Sequence, residues 1–308
     1  MWALISVLCY VAISLLVRRA TGMGNRFVAV TLRALPAFLI TLTVVLATPQ
    51  RRAQLISGTE NFIGWKSIVA IAVQALLIFS IGNSLQFESL KWGGVTITTP
   101  INSTSAIFGG LLAFFILREI FNREMLGGML ITSVGVYALT RGQAMGVPVS
   151  EHWQRAVLFS LLGAFGSSVG GILLTAALRR GTDVFVAMLL STGIAVLSMV
   201  IVLGLQGELS LYWTSPPSVV RDLLLAGVIN AVSVLAITQA LALSPWAIVT
   251  SISRLSVVLA PLAAVLFLDE SINLLMVLGI LLVVGGVILV QWGQARGRRQ
   301  GASVQPDP

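Results

Sequence analysis

The sequence predicts an all-α polytopic membrane protein, with ten transmembrane helices arranged as two inverted five-helix repeats. Three observations carry that expectation. The chain of 308 residues is 57% hydrophobic and only 10% charged, with a mean hydropathy of +0.98, whereas soluble domains carry about 25% charged residues. Its apolar residues gather into ten segments, at 2–17, 27–47, 67–85, 93–117, 125–140, 156–178, 184–205, 219–241, 245–268 and 272–292. Finally, the chain repeats itself at an offset of 151 residues without a gap.

Each segment is cut from the next by turn or charge signals, among them 18–26, 49–66 and 141–155. At about 1.5 Å per residue most can cross a hydrocarbon core of about 30 Å, the first and fifth being short for it. The first run, Trp2 to Val17, lacks a basic leading region and is read as a span and not as a secretory signal. Trp2, Trp65, Trp92, Trp153, Trp213, Trp246 and Trp292 all fall at or beside a segment end. That is where an amphipathic ring prefers to sit, so all seven are expected at the interface. The net charge of +8 does not point to nucleic acid, because the basic residues punctuate segment ends instead of lining one face. Cys9, the one cysteine, rules out an internal disulfide and is read as packing.

The repeat is clearest around Ser244 to Glu270, which pairs with the stretch ending at Glu119. Leu90, Thr99, Ile101 and Ser105 recur as Leu241, Thr250, Ile252 and Ser256. Asn122, Met125, Gly128 and Gly135 recur as Asn273, Met276, Gly279 and Gly286. Ser244 and Pro245 open the later copy as a hydroxyl N-cap and a proline that loses no helical N–H. Five spans per copy return the second half inverted, about an axis in the membrane plane, with binding expected near the midplane. The units are then 1–145 and 146–296, followed by a disordered cytoplasmic tail at 297–308. With the N-terminus inside, the inner loops and tail hold ten lysines and arginines against seven outside. Both termini are therefore expected to be cytoplasmic, in a multi-pass protein of the cytoplasmic (inner) membrane.

The candidate site centres on Arg254, in the middle of the ninth span. An arginine at that depth is costly and usually faces a cavity or a partner. Thr250 and Ser251 precede it by one turn. In the fourth span Thr96, Thr99, Ser103, Ala106 and Gly110 share one small or polar face, and Ser103 stands where the repeat has Arg254. Arg254, Thr250, Ser251, Thr99, Ser103, Asn102, Asn83 and Asn230 are the residues expected to bind substrate. Other polar groups inside spans are Gln74, Ser84, Ser233, Thr238, Ser167 and Ser168. The competing reading is structural: hydroxyls bonding back to their own helix, small residues allowing close packing, and amides bridging helices. For Arg254 it has the guanidinium on carbonyls freed by Pro100 or Pro261, or paired with an acid from another helix end. Arg33, two turns into its span, is expected to snorkel to the headgroups. Glu119 and Glu270 are expected to cap the helices that follow them.

No Asp, Glu or His falls in the interior of any span, Asp222 standing at the very start of the eighth, and His152 lies in the middle connection. A proton relay normally needs such a group, so transport is expected to follow the solute's own gradient or exchange. An enzyme would need converging nucleophile and base or metal ligands. None is visible, so no catalytic residue, metal or cofactor is assigned.

Pro261, Leu268-Asp269-Glu270, Gly279 and Gly285-Gly286, with Leu117-Arg118-Glu119, Gly128 and Gly135 in the first copy, resemble the signature closing each half of the ten-helix EamA-type carriers of the drug/metabolite transporter superfamily. Gly110 stands where that pattern has the first copy's proline. Arg33 also resembles an arginine common in the family. The resemblance implies carriage of small solutes, often outward, through a cavity between the halves by alternating access. The expected partners are a small metabolite, anionic or zwitterionic, and membrane lipid, with no nucleic acid. The alternative is a non-transporting scaffold or lipid-handling partner. A water-accessible midplane cavity favours the carrier; a dry, fully packed interface favours the scaffold.

Overall fold

The computed structural model describes residues 1–20, 26–56, 58, 60–82, 84–86, 88–89, 92, 98, 101–102, 104–118, 122–143, 153–256, 258–259 and 273–302. Every regular element among them is helical. In chain order these are α1 (Trp2–Ala20), α2 (Arg26–Ala47), α3 (Pro49–Ala53) and α4 (Trp65–Ala75), which continues as a π-helix over Leu76–Gly82. Then come α5 (Ser105–Leu117), α6 (Arg123–Gln143), α7 (Trp153–Arg179) and α8 (Val184–Leu205). The chain closes with α9 (Leu211–Thr214), α10 (Pro217–Leu243), α11 (Trp246–Ser253) and α12 (Leu274–Ala302).

Among the described residues, six helices are long and apolar enough to cross a membrane, within α2, α4 with its π continuation, α7, α8, α10 and α12. The first, fourth and ninth expected spans are represented by the apolar stretch Trp2–Ile13 and by the shorter helices α5 and α11. The fifth is α6, which has 21 residues. Helix boundaries follow local chemistry. Asp183 caps α8 by accepting from the Phe185 N–H at 2.8 Å, proline opens α3 and α10, and Gly181 and Gly207 turn the chain at positive φ. At the start of α11 the N-cap is Pro245, with no side-chain cap bond, so Ser244 does not do the capping expected of it. The closing helix continues to Ala302, beyond the tenth apolar segment.

Contacts divide the chain into two compact units, Met1–Ser84 with Leu173–Leu243 and Leu85–Ile172 with Ser244–Pro308. Each draws on both halves of the sequence. In the first unit α1 packs on α10, α2 on α8 and α10, and α4 on α8. Ala29 and Leu32 of α2 meet Val219 and Leu223 of α10, and Ala37 meets Ala231. The numbers rise together, so α2 and α10 run parallel. Val45 meets Val186 and Leu189, while Phe38 lies beside Gly193; these numbers move oppositely, so α2 and α8 are antiparallel. Gln74 and Ser80 bond to Ser191 and Ser198 in order, which makes α4 and α8 parallel. Second and eighth spans alike, third and seventh alike, second and seventh opposed: this is the parity that ten crossings require.

In the second unit α6 and α12 form the dominant pair, with α5, α11 and α12 also packed together. Asn122 accepts from the Met125 N–H at 3.0 Å, capping α6, and donates to the Gly293 carbonyl at 2.5 Å near the end of α12. Asn273 does the mirror task, capping α12 through Met276 at 2.9 Å and donating to the Gly142 carbonyl at 2.7 Å. Between these clasps a Cβ on Gly128 would meet the Gly286 carbonyl at 2.7 Å, and one on Gly135 the Gly279 carbonyl at 2.9 Å. The helices are thus antiparallel, and each contact maps onto another when 151 is added or subtracted. Glu119 and Glu270, expected to cap these helices, lie outside the described residues; Asn122 and Asn273 each satisfy one first-turn N–H of α6 and α12.

Candidate functional site

Trp246 anchors the helix that carries the central arginine. It is only 4% exposed, and its indole lies where a Cβ on Gly109 of α5 would come within 1.8 Å. A Cβ on Gly171 of α7 would approach the indole nitrogen to 2.8 Å. Two glycines thus let a large ring seat between α5 and α7. Trp246, expected among the interfacial rings, is thus packed within the protein, received by small residues of two other helices. By contrast Trp2, Trp65, Trp153, Trp213 and Trp292 are exposed.

From this anchor α11 runs to Ser253 and gives way to a turn at Arg254. The Arg254 N–H still reaches the carbonyls of Thr250 and Ser251, at 3.2 and 3.1 Å. Its half-buried guanidinium donates through Nη2 to the Ser105 hydroxyl at the start of α5. The Ser105 carbonyl in turn faces Ser168 Oγ of α7 at 2.8 Å, a hydroxyl also 2.7 Å from its own Ala164 carbonyl. Three helices are thus joined around one cation by short hydroxyl side chains. Thr250 bonds back to the Trp246 carbonyl at 3.0 Å, and Ser253 to that of Val249 at 2.8 Å, as serine and threonine inside apolar helices commonly do.

Of the expected site residues, the structure keeps Arg254 and Thr250 half-buried on one helical edge, while Ser251 is 2% exposed. Asn102 belongs to the same compact unit and is half-buried; Asn230 belongs to the other unit, on α10. Thr99, Ser103 and Asn83 lie outside the described residues, as do Pro100 and Pro261. Ser105, not among the residues expected to bind substrate, is the group that meets the arginine, and Ser168 in turn donates to the Ser105 carbonyl. The polar groups of the other unit serve as bridges. The buried Gln74 accepts from Ser191 at 2.7 Å, directly before the π-helical turn, and Ser6 and Ser233 share a bond at 3.1 Å.

The model of the EamA-like transporter family matches the chain twice, over residues 1–141 and 154–292. The chain belongs to the EamA-like transporter family. The two matches fall on the two halves defined by the 151-residue offset. A solved structure titled "Crystal structure of protein" shares its fold, with a TM-score of 0.76 at 16% identity, over 94% of this chain and 98% of that one. The comparison with curated proteins returns no match. This EamA-like protein is accordingly a multi-pass membrane protein with the fold of a solute transporter.

Proposed function

We propose that this EamA-like protein carries a small organic solute bearing a carboxylate or phosphate, by alternating access between its two inverted repeats. Transport is outward across the cytoplasmic membrane, with both termini on the cytoplasmic side. The observation behind this reading is Arg254, set in an apolar span and held on Ser105, which α7 also engages. At an effective dielectric near 20, an anion about 4 Å away gains roughly 4 kcal/mol. That is comparable to the roughly 3 kcal/mol that inserting a central arginine costs. Thr250, Ser251 and Asn102 stand close in sequence to the Arg254–Ser105 pair and are proposed to orient the solute, with Thr99 and Ser103 as further contributors. No span carries a carboxylate or histidine in its interior, so the solute moves down its own gradient or by exchange.

The experiment is uptake and efflux of a metabolite panel by purified protein in liposomes. Saturable movement of an acidic or zwitterionic solute, competed by its analogues, supports the reading; a panel that moves no faster than through empty liposomes sinks it. The scaffold alternative draws on the hydroxyls of Thr250 and Ser253, which bond into their own helix. It predicts that second outcome.

A further inference from the structure

A cleft of about 740 Å³ opens beside α2 and α10 in the first compact unit. Its walls are apolar, built from Leu35, Pro36 and Leu39 on one side and Leu224, Leu225 and Val228 on the other. Rigid features keep it from collapsing. Pro36 interrupts the hydrogen bonding of α2 and meets Gly227, where a Cβ would fall 2.8 Å from the proline ring. Tyr212 roofs the cleft and donates to Thr31 Oγ1 of α2 at 2.9 Å. At the mouth stand Trp213, 87% exposed, and Arg221, one turn into α10. Exposed Trp at the start of a spanning helix marks the headgroup level. The walls below therefore face hydrocarbon, where an apolar cleft excludes water and acyl chains are the abundant filling.

Arg221 and Asp222 select the headgroup. Nε and Nη2 of Arg221 both donate to Oδ1 of Asp222, at 3.2 and 3.1 Å. The arginine side chain is 71% exposed and the aspartate 19%. Both bonds end on one oxygen, which leaves Nη1 and Oδ2 for a ligand. A neighbouring plus and minus charge at the headgroup level matches a headgroup that is itself phosphate followed by ammonium. A simply anionic lipid would meet Asp222 with repulsion, and a quaternary ammonium cannot donate to Oδ2. We propose that this cleft is a binding site for a phospholipid with a primary-amine headgroup, one acyl chain lying against Pro36 and Val228. The phosphate sits on Arg221 and the ammonium on Asp222.

The test is native mass spectrometry of the full chain released from nanodiscs of equal phosphatidylethanolamine, phosphatidylcholine and phosphatidylglycerol. One retained lipid per chain is expected, with phosphatidylethanolamine favoured roughly fivefold, the scale of a partly exposed ion pair. Asp222→Asn keeps a bound lipid but loses that preference or turns it toward phosphatidylglycerol. Val228→Trp fills the cleft and abolishes retention of every lipid; Leu39→Trp does the same from the opposite wall should the first variant not fold. Retention without headgroup preference, or unchanged in both tryptophan variants, overturns the proposal. So does a dimer that these substitutions dissociate, which would make a second copy the occupant.

Discussion

In the unit of Leu85–Ile172 and Ser244–Pro308, α6 and α12 meet through their backbones; in the unit of Met1–Ser84 and Leu173–Leu243, helices pack through apolar side chains and are bridged by hydroxyls and an amide. The first pairing keeps its internal two-fold. Gly128, Gly135 and Gly142 recur at the 151-residue offset as Gly279, Gly286 and Gly293, and the two asparagine clasps exchange places under it. The second has lost it. The repeat mates of Gln74 and Ser191 are Leu225 and Ile40, and those of Ser6 and Ser233 are Val157 and Gly82. A glycine seam has one register, because any slide drives a carbonyl into a side chain. Hydroxyl bridges can break and re-form with nearby carbonyls. The duplication is thus preserved where geometry is least forgiving.

The largest expected effect follows from that seam. A Cβ on Gly286 would meet Thr132 Oγ1 at 2.3 Å and the Gly128 carbonyl at 2.6 Å. Gly286→Val should therefore cost about 3 kcal/mol, the upper end for overpacking, read as loss of monodisperse protein in detergent. Its neighbour Gly285 has nothing within 4 Å of a Cβ. Gly285→Ala should raise thermal stability by about 0.5–1 kcal/mol through helix propensity. Equal damage from the two would remove the seam from the account.

A smaller effect tests the clasps. Asn122→Ala and Asn273→Ala each lose an N-cap and a bond to the partner helix, so each should cost about 1–2 kcal/mol. The two losses should match within error in thermal-shift measurements, since the asparagines do the same task at opposite ends. Unequal losses would break the two-fold. Smaller again is Gln74→Leu, about 0.6 kcal/mol, the scale of interhelical hydrogen bonds inside membranes; a loss beyond 2 kcal/mol would make the first unit as intolerant as the seam. Arg118 closes α5 in the left-handed region, at φ 53, so Arg118→Gly should stabilise by under about 1 kcal/mol.

The seam was half legible in the sequence. The offset displays Gly128 with Gly279 and Gly135 with Gly286, yet in space Gly128 meets Gly286 and Gly135 meets Gly279. A linear repeat names equivalent residues; the crosswise pairing requires the symmetry axis. The site behaved similarly. Arg254 stood out because a lone charge in an apolar span is conspicuous, whereas Ser105 and Ser168 looked like any hydroxyl among small residues. Ser103, the repeat mate of Arg254, lies outside the described residues; among the described ones it is Ser105 that meets the guanidinium. Trp246 sat at a segment end and so read as interfacial; only the glycines of α5 and α7 reveal its burial.

The central claim is that Arg254 binds an anionic group of a transported solute, and solute binding and efflux in liposomes by the Arg254→Gln protein test it most directly. The account predicts saturable efflux by the native chain that needs no imposed pH difference. With glutamine at 254 it predicts loss of binding by roughly tenfold or more, about 1.4 kcal/mol, at unchanged thermal stability. A glutamine protein that binds and transports as the native chain does, or one that loses its fold while the surviving fraction binds normally, would contradict it.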